Sequence, residues 1–137
     1  MVQEVIFKLN DEDFGLEIMN VNEIIRMQEL TAMPNTSKYI LGVTNIRGKV
    51  IPVISMKKIL EMEESVDDDR TRIIVASLGD KIYGFKVDSV SEIIKIEEEQ
   101  IDRQEGIGED KEKNYIFGIA KLEERLVKLI DLEKILQ

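Results

Sequence analysis

The chain contains Val21-Asn22-Glu23-Ile24-Ile25-Arg26-Met27, and 69 residues later it contains Val90-Ser91-Glu92-Ile93-Ile94-Lys95-Ile96. Further on, Tyr39-Ile40-Leu41-Gly42-Val43 returns as Tyr115-Ile116-Phe117-Gly118-Ile119, now 76 residues away because the second copy carries a longer loop at about 97–114. The sequence is therefore duplicated. Features that both copies share indicate the scaffold, and features that only one copy has are candidates for function.

Each copy has the pattern of a small β-structure. Apolar residues alternate with polar ones over short runs, which is typical of half-buried strands. Asn10-Asp11 and Gly79-Asp80 separate such runs and favour hairpin turns. A short helix is predicted at 56–60 and again at 132–136, with Ser55 and Asp131 as good N-caps. The sequence thus predicts an all-β fold with minor α content, built as two pseudo-repeated five-stranded antiparallel barrels.

The length predicts one domain. The chain has 137 residues, and a unit of about 60 residues is only marginally stable alone. We therefore expect a single domain over 1–137, with subdomain one at about 1–60, an acidic linker at 61–70 and subdomain two at about 71–137. The linker lacks the ligand spacing and central glycine of a calcium loop, so a solvated connection is the favoured interpretation.

Composition argues against several classes of function. The chain has no cysteine and no histidine, so it lacks the usual ligands of zinc and the usual general base. We expect no enzymatic activity, no metal and no cofactor, with a carboxylate-dependent hydrolase as the less favoured alternative. A net charge of −9 argues against nucleic acid, since phosphate binding needs a basic face. No apolar run approaches the length of a membrane span, which predicts a cytoplasmic protein without membrane insertion.

The two copies differ most at one hairpin. The first has Asn45-Ile46-Arg47-Gly48-Lys49, where the second has Lys121-Leu122-Glu123-Glu124-Arg125. Gly48 can adopt the positive φ that a tight turn needs, which would project Arg47 from the tip. Arginine is enriched at interface hot spots, although an ordinary solvated turn is an equally open interpretation. Glu23 could pair with Arg47 and orient it if their strands are neighbours.

Several motifs of the sequence resemble those of a known family. Glu23-Ile24-Ile25-Arg26, Pro34-Asn35 and the run from Tyr39 to Ile54 are similar to the signature of CheW-like domains. The resemblance covers essentially the whole chain. It implies two five-stranded SH3-like barrels and a non-enzymatic chemotaxis adaptor that couples chemoreceptor cytoplasmic tips to the histidine kinase CheA. An isolated CheW-like regulatory domain of a CheA kinase is the alternative.

The resemblance also implies a site. Receptor binding would involve Arg47, Gly42 and Val21, with Glu23 beside Arg47, while Asn45 and Gly48 would support the hairpin. The partner surface for the regulatory domain of CheA would lie at apolar ends of both barrels. The protein would be cytoplasmic and would join membrane receptor arrays through these partners. This chain has Ser55 where the family commonly has Asp, so we expect a changed helix cap without loss of function.

Overall fold

The computed structural model describes residues 2–34, 37–103 and 115–136. Within them the chain forms eleven strands and two one-turn helices, joined by short turns. The elements are β1 (Val2–Leu9), β2 (Glu12–Glu17), β3 (Val21–Arg26), β4 (Ile40–Ile46), β5 (Lys49–Ser55), α1 (Met56–Ile59), β6 (Arg72–Leu78), β7 (Lys81–Val87), β8 (Ser89–Ile96), β9 (Ile101–Asp102), β10 (Ile116–Leu122), β11 (Arg125–Ile130) and α2 (Leu132–Ile135), with 3-10 turns at Ile18–Asn20 and Glu98–Gln100.

The strands form two sheets, which confirms the prediction of a mostly β fold with minor helix. The first sheet has the order β8-β1-β2-β11-β10-β9, and the second has the order β3-β6-β7-β5-β4. Pairing is antiparallel except for one parallel contact in each sheet, β2 with β11 and β5 with β7. The sixth strand of the first sheet, β9, lies in the segment predicted as a loop, of which 104–114 lie outside the described residues.

The two sheets exchange hairpins between the sequence repeats. The β6–β7 hairpin of the second copy lies in the middle of the second sheet, between strands of the first copy. The β1–β2 hairpin of the first copy has the corresponding place in the first sheet. The boundaries at about 1–60 and 71–137 therefore describe the repeat in the sequence, whereas each sheet takes strands from both copies.

Each sheet is closed by the segment that follows one of its edge strands, which pairs with a strand at the opposite edge. After β3, Thr31 exchanges two backbone hydrogen bonds of 2.9 Å with Val43 on the opposite edge strand, β4. After β8, the short strand β9 pairs in the same way with β10, where Asp102 faces Ile119. Edge pairing of this kind satisfies backbone groups that an open edge would expose. Both sheets are thus barrels.

The largest apolar cluster lies between the two barrels. It includes Phe7 and Phe14 of the first sheet, whose rings stack 5.9 Å apart, and Phe85 of the second sheet. Smaller clusters fill each barrel, one around Ile6 and Leu129 and the other around Ile73 and Val53. Because the shared cluster is the largest, burial of apolar surface mainly stabilises the packing of one barrel on the other.

The helix caps are those that the sequence predicts. The Ser55 hydroxyl oxygen accepts a hydrogen bond from the backbone N–H of Lys58 at 3.2 Å. In the second copy Asp131 Oδ1 accepts the equivalent bond from Lys134 at 3.3 Å. The exchange of aspartate for serine therefore keeps the cap.

Residues 61–70 have no regular secondary structure, but their polar groups bind the barrels. Asp67 Oδ1 accepts a hydrogen bond from Lys86 Nζ at 2.8 Å, and Ser65 Oγ accepts one from Lys57 Nζ at 2.7 Å. The backbone carbonyl of Glu63 accepts a bond of 2.8 Å from the Asn10 side chain. The linker is thus anchored along its length.

We propose that 1–137 folds as a single cooperative domain, which the exchanged hairpins support. Opening the chain between Ser65 and Val66 should leave neither half able to fold alone, because each half holds strands that belong in both barrels. The test is to express 1–65 and 66–137 separately and record ¹H–¹⁵N spectra. We expect narrow amide dispersion in both, and a well-dispersed spectrum from either half would contradict the proposal.

Candidate functional site

The β4–β5 hairpin carries the predicted arginine at its tip. Arg47 and Gly48 are the two residues between the strands, and Ile46 faces Lys49 at the base of the turn. The φ angles of Arg47 and Gly48 are +53° and +83°. Positive φ at both central positions is what a type I′ turn requires, and this turn matches the twist of a strand pair. The predicted tight turn with a positive φ at Gly48 is thus confirmed.

A side chain supports this turn. Asn45 Oδ1 accepts a hydrogen bond of 3.0 Å from the backbone N–H of Gly48. This contact stabilises a backbone in which Arg47, a residue with a Cβ, adopts an uncommon positive φ. The side chain of Arg47 leaves the hairpin from that fixed backbone. Asn45 and Gly48 thus hold the turn together, and their part in a receptor site stays a prediction.

Glu23 pairs with Arg47 across 24 residues of sequence. Its carboxylate accepts hydrogen bonds from Arg47 Nε at 3.0 Å and from Nη2 at 3.3 Å. The Arg47 side chain is 79% exposed and that of Glu23 is 26% exposed. The hydrogen bonds from Glu23, followed by its charge, raise the pKa of Arg47 above its ordinary value. A two-point contact fixes the guanidinium plane while leaving most of its surface open to solvent.

The other two predicted residues lie deeper in the fold. Gly42 is a buried residue of β4, where a Cβ would stand 2.7 Å from the carbonyl oxygen of Thr31. Val21 begins β3, two residues before Glu23, and packs against the cluster between the barrels. The structure thus brings Arg47 and Glu23 into contact, and it places Gly42 and Val21 at the barrel closure and the inter-barrel core. Their part in receptor binding stays a prediction.

The second copy has a related ion pair with a different position for its arginine. Glu92, the counterpart of Glu23, accepts a hydrogen bond of 3.0 Å from Arg125 Nη2. Arg125 lies at the base of its hairpin and occupies the place of Lys49, not that of Arg47. The turn residues Glu123 and Glu124 have no positive φ. Both copies therefore hold a glutamate–arginine pair, but only the first carries the arginine at an exposed, fixed tip.

Exposed apolar side chains occupy equivalent places in the two barrels. Ile24 and Val50 are exposed in the second sheet. Their counterparts Ile93 and Leu126 are exposed in the first sheet. β3 turns the Ile24 side chain outward. The repeat was the available signal, since all four positions correspond between the copies.

Two further features of the described residues bear on function. None of the helices in 2–34, 37–103 and 115–136 has the length and apolar character that crossing a membrane requires. Within the same ranges, no three acidic side chains come together in a way that could hold a metal ion.

Comparisons with known proteins agree with this architecture. The CheW-like domain family matches residues 3–137. The chain is 34% identical to the chemotaxis protein CheW of Helicobacter pylori over 100% of this chain and 82% of that protein. It is 33% identical to the chemotaxis protein CheW of Klebsiella aerogenes over 96% of this chain and 80% of that protein.

A solved structure has the same fold. The crystal structure of the scaffolding protein TtCheW from Thermoanaerobacter tengcongensis superimposes with a TM-score of 0.86 at 32% identity, covering 96% of this chain and 84% of that one. The family match over nearly the full length, the identities and the common fold lead to one conclusion. The chain belongs to the CheW family of non-enzymatic chemotaxis adaptor proteins.

Proposed function

We propose that this protein couples the cytoplasmic tip of a chemoreceptor to the regulatory domain of the kinase CheA, within cytoplasmic arrays under the membrane. The observation that carries the proposal is the Arg47 hairpin, where one copy of the repeat presents a fixed and exposed cation that the other copy lacks. Family membership supports the same role. The named CheW relatives match over at least four-fifths of their own length, which favours the adaptor over the regulatory domain of a CheA kinase.

Arg47 is suited to bind a partner without changing shape. Glu23 engages Nε and Nη2, and Nη1 has no hydrogen-bond partner among the described residues. Orienting a long side chain before binding reduces the conformational entropy that the complex would otherwise lose. The proposed receptor surface therefore centres on Arg47, with Glu23 as the residue that positions it and Asn45 and Gly48 as support for the turn.

The kinase would use the apolar positions that both barrels share. Ile24 and Val50 are exposed in the first copy, and their counterparts Ile93 and Leu126 are exposed in the second. Exposed apolar patches often mark the places where a protein contacts a partner. We thus assign these side chains to the kinase, and the tip of the hairpin at Arg47, with Glu23, to the receptor.

The receptor site is tested by exchanging Arg47→Glu and measuring binding to a receptor-tip helical hairpin by calorimetry. We expect the affinity to fall by about tenfold or more, as for the loss of an interface hot spot. The melting temperature should change little, because an exposed ion pair contributes little stability. Binding to the CheA regulatory domain should remain as in the parent protein.

The matched control is Arg70→Glu. Arg70 is 75% exposed and pairs with Asp68 at 2.8 Å, so it has the exposure and the single acidic partner of Arg47 at another place. If both exchanges weaken receptor binding equally, the effect is one of net charge and the assigned site is wrong. If Arg47→Glu instead unfolds the protein, the residue is structural.

A further inference from the structure

A buried carboxylate lies inside the first barrel. Glu4 on β1 is 2% exposed, and its Oε1 atom has no hydrogen-bond partner among the described residues. Its strand neighbours are Glu17 on β2 and Ile94 on β8. An ionised carboxylate without a partner is costly in an apolar interior. A second glutamate directly opposite adds to that cost.

The repeat shows that the fold does not need an acid there. The counterpart of Glu4 is Ile73, which is fully buried in the second barrel. Both side chains cover an equivalent glycine, since a Cβ on Gly15 would lie 3.0 Å from Glu4 Oε1 and one on Gly84 would lie 2.7 Å from Ile73 Cγ2. An apolar residue fills this place in one copy, so the carboxylate in the other is not explained by packing.

Glu4 belongs to the lining of an open cavity of about 460 Å³, to which Leu78 of the second barrel also contributes. Part of its wall is apolar, from Val2, Ile101 and Phe117, which also pack on the interior cluster of that barrel. This volume falls in the range of small-molecule sites, which combine apolar walls with a few placed polar groups. The cavity has room for several carbon atoms beside Glu4.

The charged groups around the cavity are mostly acidic. Glu17, Asp131 and Glu133 line it together with Glu4, and Arg103 is the basic residue in the lining. Arg103 is already engaged, because its Nε donates a 2.7 Å hydrogen bond to Glu98 and its guanidinium lies 5.2 Å from the centre of the Phe117 ring. The cavity would thus repel an anion and attract a cation.

We propose that this cavity binds an organic cation, an ammonium group carried on an apolar stem, with Glu4 as its counter-ion. The stem would contact Val2, Ile101 and Phe117. The Glu4 carboxylate, whose Oε1 now packs over Gly15, would turn toward the cavity and accept a hydrogen bond from the ammonium. Such a group could belong to a free amine or to a lysine side chain of a partner. The proposal is independent of the Arg47 site, which lies in the other barrel.

Glu4 is poised for such a ligand. Burial, and to a smaller extent the charge of Glu17, raise the pKa of Glu4 to about 7. The cation should therefore bind more tightly as the carboxyl loses its proton, and its binding should in turn lower that pKa.

The test is a ¹H–¹⁵N titration of the full chain with hexylammonium chloride, with hexanol as the neutral control of the same stem. We expect saturable shifts of Val2, Ile101 and Phe117 with the amine and weaker, non-saturating ones with hexanol. Glu4→Gln should lower the affinity by about tenfold or more, since the bound ammonium would lose its counter-ion. Glu29→Gln, which removes an exposed loop carboxylate, should leave the affinity unchanged.

The titrations have three results that count against a cation site. Equal binding of amine and alcohol, equal binding by the Glu4→Gln variant, or no saturable shift would overturn the proposal. A second titration with Nα-acetyl-lysine methylamide separates the two sources of the cation. Binding of both compounds supports a lysine side chain as the natural ligand, and binding of hexylammonium alone supports a free amine.

Discussion

Replacing Lys57 by methionine is expected to lower the free energy of unfolding by about 3 kcal/mol, because it removes one partner of a buried ion pair. The Lys57 side chain is only 3% exposed, and its Nζ lies 2.8 Å from Asp88 Oδ1. The same ammonium donates hydrogen bonds to Asn10 Oδ1 at 2.9 Å and to Ser65 Oγ at 2.7 Å. Its three N–H groups thus join α1, the β1–β2 turn, the linker and the β7–β8 connection.

The expected loss lies at the lower end for a buried pair, because Asp88 keeps some solvent contact and can rehydrate. Urea unfolding at neutral pH measures it. The neighbouring residue provides a control, since Lys58 is exposed on the same helix and Lys58→Met should change stability by less than about 0.5 kcal/mol. Equal effects of the two exchanges would contradict the assigned role of Lys57.

Replacing Glu4 by isoleucine is expected to raise the free energy of unfolding by about 3 kcal/mol at about pH 8, because it removes a desolvated carboxylate. The second barrel already has isoleucine at this place, in Ile73. The substituted side chain should therefore fit over Gly15 as Ile73 fits over Gly84. The added apolar contact acts in the same direction as the loss of charge.

The pH dependence follows from the direction of the shift. Burial raises the pKa of Glu4 from 4.5 to about 7 in the folded protein, so the folded state holds this proton more tightly than the unfolded state. The stability that the protonated carboxyl confers is complete below about pH 4.5 and is lost as the pH rises through about 7. The advantage of Glu4→Ile should therefore shrink as the pH falls.

Urea unfolding of the parent protein, Glu4→Ile and Glu4→Gln at several pH values measures this effect. The exposed loop residue Glu29 serves as a control, and Glu29→Gln should follow the pH profile of the parent protein. A difference between the parent protein and Glu4→Gln that stays constant with pH would show that Glu4 is not a desolvated acid.

The sequence was sufficient to predict the strands, but not to predict that each copy places a hairpin in the barrel of the other copy. Alternating apolar residues and the turn at Arg47-Gly48 depend on neighbours in the chain, so local pattern predicts them. The choice of partner strand is different. The β1–β2 and β6–β7 hairpins have nearly the same pattern of apolar residues. That pattern would be satisfied equally well if each hairpin paired with strands of its own copy or with strands of the other copy. Only the packing of both barrels on a common core distinguishes the two arrangements.

At the candidate site, the sequence predicted the contact that depends on a local turn and missed the charged residues that the fold buries. The pair of Glu23 with Arg47 is confirmed, because a fixed turn and a neighbouring edge strand leave few partners for that guanidinium. Burial of Lys57 and Glu4 was not predicted, since charged residues are almost never buried without a partner. The repeat marks both positions as different between the copies. Glu133 stands in the place of Lys57, and Ile73 stands in the place of Glu4.

We propose that this protein joins two partners, with the receptor at Arg47 and Glu23 and the kinase at the exposed apolar side chains. The most direct measurement is a ¹H–¹⁵N titration with the CheA regulatory domain, followed by addition of a receptor-tip helical hairpin to the same sample. We expect the kinase domain to shift resonances near Ile24, Val50, Ile93 or Leu126. The receptor hairpin should then shift a second set around Arg47 and Glu23 while the first set stays bound. Displacement of one partner by the other, or receptor shifts that leave Arg47 and Glu23 unchanged, would contradict the proposal.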